Sequence, residues 1–145
     1  MDKQVNLSGN SVSRVWREGD YIFKRQPKYL TDNEWYALSH PALNNYVPKW
    51  IRRIDDAMIM VEFVENEPVT CTDAFMRHCQ PVLDALKSAG LRHGDLTEYA
   101  VLVHNNCPVI TDWAESRTWD DPRPDKRRAG DAYWLKRTME KLCQP

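Results

Sequence analysis

The sequence has no long apolar segment and almost no net charge. No stretch approaches the roughly 20 apolar residues that a membrane-spanning helix needs, and the amino terminus shows no signal-peptide pattern. The formal net charge of -1 provides no electrostatic attraction to nucleic acid or to an anionic membrane. We therefore expect a cytoplasmic protein that binds neither nucleic acid nor membranes.

Cysteine patterns are also lacking. The four cysteines, Cys71, Cys79, Cys107 and Cys143, include no Cys-x-x-Cys pair, so free thiols are expected rather than a redox motif. The sequence shows no internal repeat and no low-complexity tract. At 145 residues the chain is expected to form one domain.

Two aspartates lie in the most informative part of the sequence. Asp95 occurs in His93-Gly94-Asp95-Leu96, just beyond an apolar segment, and Asp112 follows the β-branched run Val109-Ile110-Thr111. The residues between them predict a strand, a turn and a strand, so that one hairpin carries both carboxylates. Two such carboxylates suit phosphoryl transfer, in which one orients or deprotonates the attacking hydroxyl and the other holds magnesium.

These motifs resemble those of the protein-kinase superfamily. His93-Gly94-Asp95-Leu96 is similar to the catalytic loop, and Asp112-Trp113-Ala114 stands where the family usually has Asp-Phe-Gly. The glycine and the tryptophan resemble the atypical branch, which includes RIO-type and aminoglycoside-phosphotransferase-like kinases. The resemblance implies an α+β, two-lobed kinase-like fold, with a small antiparallel-sheet amino-terminal lobe containing one helix and a truncated, mostly helical carboxy-terminal lobe. It also implies ATP, with Mg²⁺ or Mn²⁺.

The upstream sequence fits the order of elements in a kinase amino-terminal lobe. Apolar and β-branched runs predict strands at residues 5–7, 12–17, 21–24, 50–54 and 57–61. A helix is predicted at residues 31–39, helical structure at residues 71–90 with a break near Pro81, and a last helix at residues 131–142. The predicted lobes are residues 1–62 and 67–145, joined by a hinge at residues 63–66.

The resemblance implies roles for four side chains. Asp95 would be the catalytic base or would orient the hydroxyl, and Asp112 would bind magnesium. Lys24 would bind the ATP phosphates and Glu34 would hold its ammonium group. Simpler interpretations stay open, because Lys24 could be a solvated strand lysine and Glu34 could complete a capping box with Thr31.

The nucleotide-binding positions depart from the family pattern in two places. Gly9 is the only glycine in the predicted phosphate loop, although backbone amides there must approach phosphates closely. By resemblance, adenine would be received on backbone groups of Glu62 and Val64. Ala100 stands where the family has an asparagine that holds a second metal ion. Glu98 or Thr97 is expected to compensate by offering an oxygen ligand.

Two further positions have structural expectations. His93 is expected to be packed and hydrogen-bonded rather than to carry protons. Asp131 either caps the last helix or, by resemblance, anchors the backbone of the catalytic loop. The basic residues between positions 115 and 130 form either a solvated loop or a surface that attracts acidic peptides or a phosphate-bearing partner.

These observations predict a minimal atypical serine/threonine protein kinase that acts on a protein substrate. The few residues after the last predicted helix favour a substrate docked on an open face. One alternative is a pseudokinase that binds a protein partner and has lost transfer along with the second metal ligand. Another is a small-molecule kinase, which the tryptophan after Asp112 favours.

Overall fold

The computed structural model describes residues 13–144, without the side chains of residues 50 and 51. Its amino-terminal part is an antiparallel sheet of Arg14–Glu18 (β1), Tyr21–Arg25 (β2), Trp50–Asp55 (β3) and Met58–Glu62 (β4). The strand order is β1-β2-β4-β3, which places the Lys24 strand in the interior of the sheet. The predicted strand at residues 5–7, and Val12 at the start of the next one, lie outside the described residues.

Helix α1 spans Lys28–Ser39 and begins three residues before the predicted start. The amides of Leu30 and Thr31 both donate to the carbonyl of Pro27, the residue directly before the first turn of the helix. Thr31 lies inside the helix, where its hydroxyl donates to the Pro27 carbonyl at 3.2 Å. The predicted capping box is therefore wrong, because the helix has already begun when the chain reaches Thr31. Glu34 instead lies on the buried side of α1.

The carboxy-terminal part contains the helices Thr72–Met76 (α2), Cys79–Ala89 (α3) and Gly130–Leu142 (α4). The break between α2 and α3 lies at residues 77–78 rather than near Pro81. Pro81 fits within the first turn of α3 because the amide that proline lacks has no helical acceptor there. Helix α3 ends at Gly90, which has a left-handed backbone with φ of 69°.

A hairpin separates the two aspartates, as the sequence predicts. Its strands are Val101–His104 (β6) and Cys107–Ile110 (β7), and Val101 pairs with Ile110. The turn residues Asn105 and Asn106 have φ of 52° and 56°, which suits a tight two-residue hairpin turn. Two short strands, Leu91–Arg92 (β5) and Arg117–Thr118 (β8), pair with each other. In the sequence, β5 precedes the hairpin and β8 follows it.

The buried core connects the sheet and α1 to the helices and the hairpin. Its most buried large apolar residues are Leu43, Ile59, Phe75, Val82, Leu96, Val101, Val103, Ile110, Trp113, Leu135 and Met139. The antiparallel sheet and the helical carboxy-terminal part confirm the predicted α+β class. No helix within residues 13–144 is both long enough and apolar enough to cross a membrane.

Candidate active site

A buried ammonium group links the sheet to the predicted metal-binding loop. Lys24 lies on β2 and is only 9% exposed. Its Nζ lies 2.9 Å from Glu34 Oε1 and 3.5 Å from Asp112 Oδ1. The interpretation of Lys24 as a solvated strand lysine is therefore wrong. The chain brings together the cation and the two carboxylates that the resemblance assigns to phosphate and metal binding.

Glu34 accepts hydrogen bonds from three parts of the chain. Besides Lys24, it receives Gln26 Nε2 on Oε1 at 2.8 Å and the backbone amide of Trp113 on Oε2 at 3.2 Å. A buried carboxylate is costly unless it is paired and hydrogen-bonded, and these donors satisfy that requirement. Glu34 thus fixes Lys24 and the turn after Asp112 with respect to α1.

Lys24 keeps its positive charge despite its burial. Burial alone would lower the pKa of Lys24, but the carboxylates of Glu34 and Asp112 outweigh that effect. The pKa of Lys24 is consequently raised above its ordinary value of 10.5. The ammonium is therefore a permanent cation at the site in the physiological pH range.

The loop that follows β7 presents Asp112 to solvent while burying its neighbour. Asp112 has a left-handed backbone with φ of 62°, which is uncommon outside glycine and often marks functional turns. Trp113 is 1% exposed, and its indole N–H donates to the Ile110 carbonyl at 3.0 Å. The Trp113 ring also contacts His93 edge-on, with centroids 4.7 Å apart. Trp113 thus anchors the turn and leaves the Asp112 side chain 57% exposed.

The backbone of the catalytic loop is fixed by one carboxylate and one imidazole. Asp131 accepts the amides of His93 and Gly94 at 2.8 and 2.9 Å, so it anchors the loop as the resemblance implies. His93 Nε2 lies 2.7 Å from the Thr111 carbonyl, and Nδ1 accepts the Asp95 amide at 3.2 Å. Because a carbonyl only accepts, Nε2 carries the proton. His93 has the structural role that the sequence predicts.

Asp95 carries two basic partners from the segment before α4. Arg127 Nε lies 3.0 Å from Asp95 Oδ1, and Lys126 Nζ lies 3.5 Å from Oδ2. The amide of Arg127 also donates to the Gly94 carbonyl at 2.9 Å. The basic segment is thus docked on the catalytic loop and is more than a solvated loop.

The other predicted nucleotide-binding positions are Gly9, Glu62 and Val64. Gly9 lies outside the described residues. Glu62 ends β4, with its amide bonded to the Lys49 carbonyl at 2.9 Å. Val64 follows two residues later in the extended connection to α2 and is partly buried. This connection is where a hinge belongs, and adenine binding to Glu62 and Val64 stays a prediction.

Ala100 stands at the position of the family's asparagine, and Asp112 is the predicted metal-binding carboxylate. Ala100 is 2% exposed, and Glu98 pairs with Lys141 of α4 at 3.0 Å. Across residues 13–144, no group of three or more histidine, cysteine, aspartate or glutamate side chains is arranged to hold a metal ion. Mg²⁺ is often bound by one or two carboxylates together with substrate phosphates and water. Asp112, whose Oδ1 lies 3.5 Å from Lys24 Nζ, fits that mode.

Two residues of the site, Gln26 and Asn33, were not indicated by the sequence, whereas Lys126 and Arg127 were indicated only as part of a basic surface. Gln26 lies two positions after Lys24, so strand alternation could have placed it on the same face. Asn33 donates to the backbone carbonyl of Ala114 at 3.0 Å and ties α1 to the Asp112 loop. No local pattern predicts that contact or the pairing of Arg127 with Asp95.

The fold and the cluster of Lys24, Glu34 and Asp112 have the arrangement of a kinase-like domain. A family model of the RIO domain matches residues 21–141, which include every element from β2 to α4 except the last helical residue. The chain therefore belongs to the RIO domain family, whose members use ATP and a divalent metal ion. No curated protein sequence matches the chain.

Solved structures of WbdD have a similar fold. A crystal structure of WbdD aligns with 97% of this chain at 15% identity and a TM-score of 0.63. A co-crystal structure of WbdD with the kinase inhibitor LY294002 aligns with 92% of this chain, also at 15% identity, with a TM-score of 0.59. The chain spans 45% and 44% of the WbdD chains in these two structures.

Proposed function

We propose that this protein transfers the γ-phosphoryl group of ATP to a serine or threonine hydroxyl of a protein substrate. The observation that carries the proposal is the buried Lys24–Glu34 ion pair, with Asp112 at 3.5 Å from the same ammonium group. Kinases need this lysine–glutamate pair and the metal-binding aspartate in place together before they can transfer phosphate.

Each of these side chains has one task in the proposed reaction. Lys24 binds the phosphates of ATP, and Glu34 holds its ammonium group in position. Asp95 orients the acceptor hydroxyl and takes its proton as the oxygen bonds to phosphorus and ADP leaves. Asp112 would hold Mg²⁺ or Mn²⁺, which neutralises phosphate charge when bound.

A second candidate is a pseudokinase that binds a protein partner without transferring phosphate. The buried Ala100 at the usual second-metal position favours it. So does the pairing of Asp95 with Arg127 and Lys126, which an incoming hydroxyl must accommodate. Nucleotide binding does not separate the two candidates, because an inactive protein can retain it. Phosphate transfer that depends on Asp95 does separate them.

The test is transfer from γ-labelled ATP by the purified protein in a bacterial lysate, with Mg²⁺ or Mn²⁺. Asp95→Asn removes the base, and Asp56→Asn, at an exposed aspartate in the turn between β3 and β4, is the matched control. We expect labelled protein bands with the wild type and the control but not with Asp95→Asn, and the label on serine or threonine. Label confined to small molecules would contradict a protein substrate. No label with either metal, from folded protein, would favour the pseudokinase.

A further inference from the structure

An open groove of about 810 Å³ lies beside the catalytic loop. One side is formed by the loop residues Thr97, Glu98 and Tyr99, and the other by α4, with Arg127 at the end next to Asp95. Tyr99 is 81% exposed in this groove. Because Arg127 contacts both the groove and the Asp95 carboxylate, a molecule bound in the groove would lie next to the proposed base.

Hydrogen bonds and an ion pair connect the segment that carries Arg127 to the loop of Gly94 and Asp95. The Arg127 amide donates to the Gly94 carbonyl at 2.9 Å. Two residues earlier, Asp125 packs against Gly94 and forms an ion pair with Arg92 at 3.3 Å. Arg92 also donates to the Asp121 carbonyl at 2.7 Å. These contacts fix the position of the backbone that carries Arg127, the cation next to Asp95.

The groove carries more positive than negative side chains. Its cations are Arg127, Lys136, Arg137 and Lys141, and its anions are Glu98 and Glu140. Glu98 already pairs with Lys141. The remaining positive charge favours a ligand with carboxylate or phosphate groups.

Two features favour a peptide over a nucleic acid as this ligand. The guanidinium groups of Arg127 and Arg137 lie 5.7 and 5.8 Å from the centre of the Trp134 ring, so the ring already has cation partners where a base would stack. The carboxylates of Glu98 and Glu140 lie among the cations and would repel a continuous phosphate backbone. A peptide with a few acidic side chains can match such a mixed surface.

We infer that this groove is the acceptor site of the proposed phosphotransferase and that Arg127 and Arg137 select acidic residues beside the reacting serine or threonine. This inference rests on the proposed function. An acidic side chain of the peptide replaces Asp95 as the partner of Arg127, which frees an Asp95 oxygen for the acceptor hydroxyl. Arg137 binds a second acidic residue of the peptide, farther along α4. Its guanidinium group donates to the Tyr133 hydroxyl at 3.1 Å.

The test measures peptide binding by fluorescence anisotropy without ATP, so it does not depend on catalysis. The probes are labelled short peptides with one serine flanked by glutamates, by glutamines or by lysines, and a labelled single-stranded oligonucleotide. Arg137→Gln is the test variant, and Arg52→Gln, at an exposed arginine on β3, is the matched control. We expect the glutamate peptide to bind tightest and Arg137→Gln to weaken it about fivefold, as expected for one exposed ion pair. The control should bind like the wild type.

Transfer to the same peptides separates this inference from the proposed function. If the wild type phosphorylates the glutamate peptide, Arg137→Gln should raise its KM about fivefold and leave kcat unchanged, as loss of uniform binding does. Equal binding of the glutamate and glutamine peptides, or tighter binding of the oligonucleotide, would overturn the inference. Selective binding of the glutamate peptide by a wild type that labels no protein in the lysate assay would support the groove as a peptide site and contradict the proposed function alone.

Discussion

Replacing Glu34 by glutamine tests whether this carboxylate holds the site together. Glutamine has nearly the same shape, so α1 keeps its packing, but the negative charge 2.9 Å from Lys24 Nζ is lost. Among residues 13–144, Asp112 at 3.5 Å is then the remaining carboxylate paired with Lys24, and the 57% exposure of its side chain makes it a weaker partner in salt.

The effect of losing this charge on stability can be estimated from the distance between Lys24 and Glu34. At an effective dielectric constant of about 20, Coulomb's law gives an attraction of about 6 kcal/mol for unit charges 2.9 Å apart. Desolvation of both groups offsets much of this, and breaking one partner of a buried pair costs about 3–5 kcal/mol. Because Asp112 remains, we expect Glu34→Gln to lower the free energy of unfolding by about 3 kcal/mol and Tm by about 10 °C. The misplaced Lys24 should lower kcat/KM for ATP about 100-fold.

Urea unfolding followed by tryptophan fluorescence measures the stability, and transfer from labelled ATP measures the rate. Glu115→Gln, at an exposed position three residues beyond Asp112, is the matched control. A double-mutant cycle with Lys24→Met isolates the pair, and the double variant should lose less stability than the sum of the single variants. If Glu34→Gln costs no more than about 0.5 kcal/mol, as surface substitutions do, and retains activity, the central role of this pair is refuted.

Three further predictions follow from the same geometry. Asp131→Asn leaves one of the two catalytic-loop amides without its acceptor, so urea titration should show a loss of about 1–3 kcal/mol and the transfer rate should fall. Ala100→Asn should leave the Mg²⁺ dependence of transfer unchanged if one ion suffices, while overpacking this buried position costs about 1–3 kcal/mol; a sharper Mg²⁺ response would show that a second ion had been missing. Because the folded-state pKa of Lys24 lies above its ordinary 10.5, its stabilising effect is fully present below that pH and declines as the pH rises through the folded-state value. Lys24→Met should therefore remove this alkaline loss of stability from urea midpoints measured across pH, and an unchanged alkaline loss would contradict the assignment.

The hairpin and the order of elements along the chain could be predicted because their signals are local. Val101 and Ile110 belong to β-branched runs around the Asn105-Asn106 turn, and this pattern specifies the hairpin and therefore the positions of Asp95 and Asp112. The start of α1 was mispredicted for a local reason as well. The pattern of Thr31 and Glu34 fits a capping box, but the helix begins three residues earlier, at Lys28, directly after Pro27.

The contacts that complete the site depend on tertiary structure. Arg127 lies 32 residues after Asp95 in a loop whose composition indicates only a charged surface. Asn33 donates to Ala114 across 81 residues, and neither residue forms part of a recognisable motif. Such contacts become visible only when the loop before α4 and the first helix are placed against the two aspartates.

The packing at Gly94 limits how this protein can acquire new control in evolution. Gly94 has φ of 87°, and a Cβ atom there would lie 3.3 Å from Asp125 Oδ1, a carboxylate that pairs with Arg92. Many regulated kinases carry an arginine at this position to read a phosphorylated loop. Here an arginine would adopt a strained backbone, and the Asp125 side chain would have to shift by a few tenths of an ångström. An arginine at this position would therefore disturb the contact between the loop of Asp95 and the segment that carries Arg127.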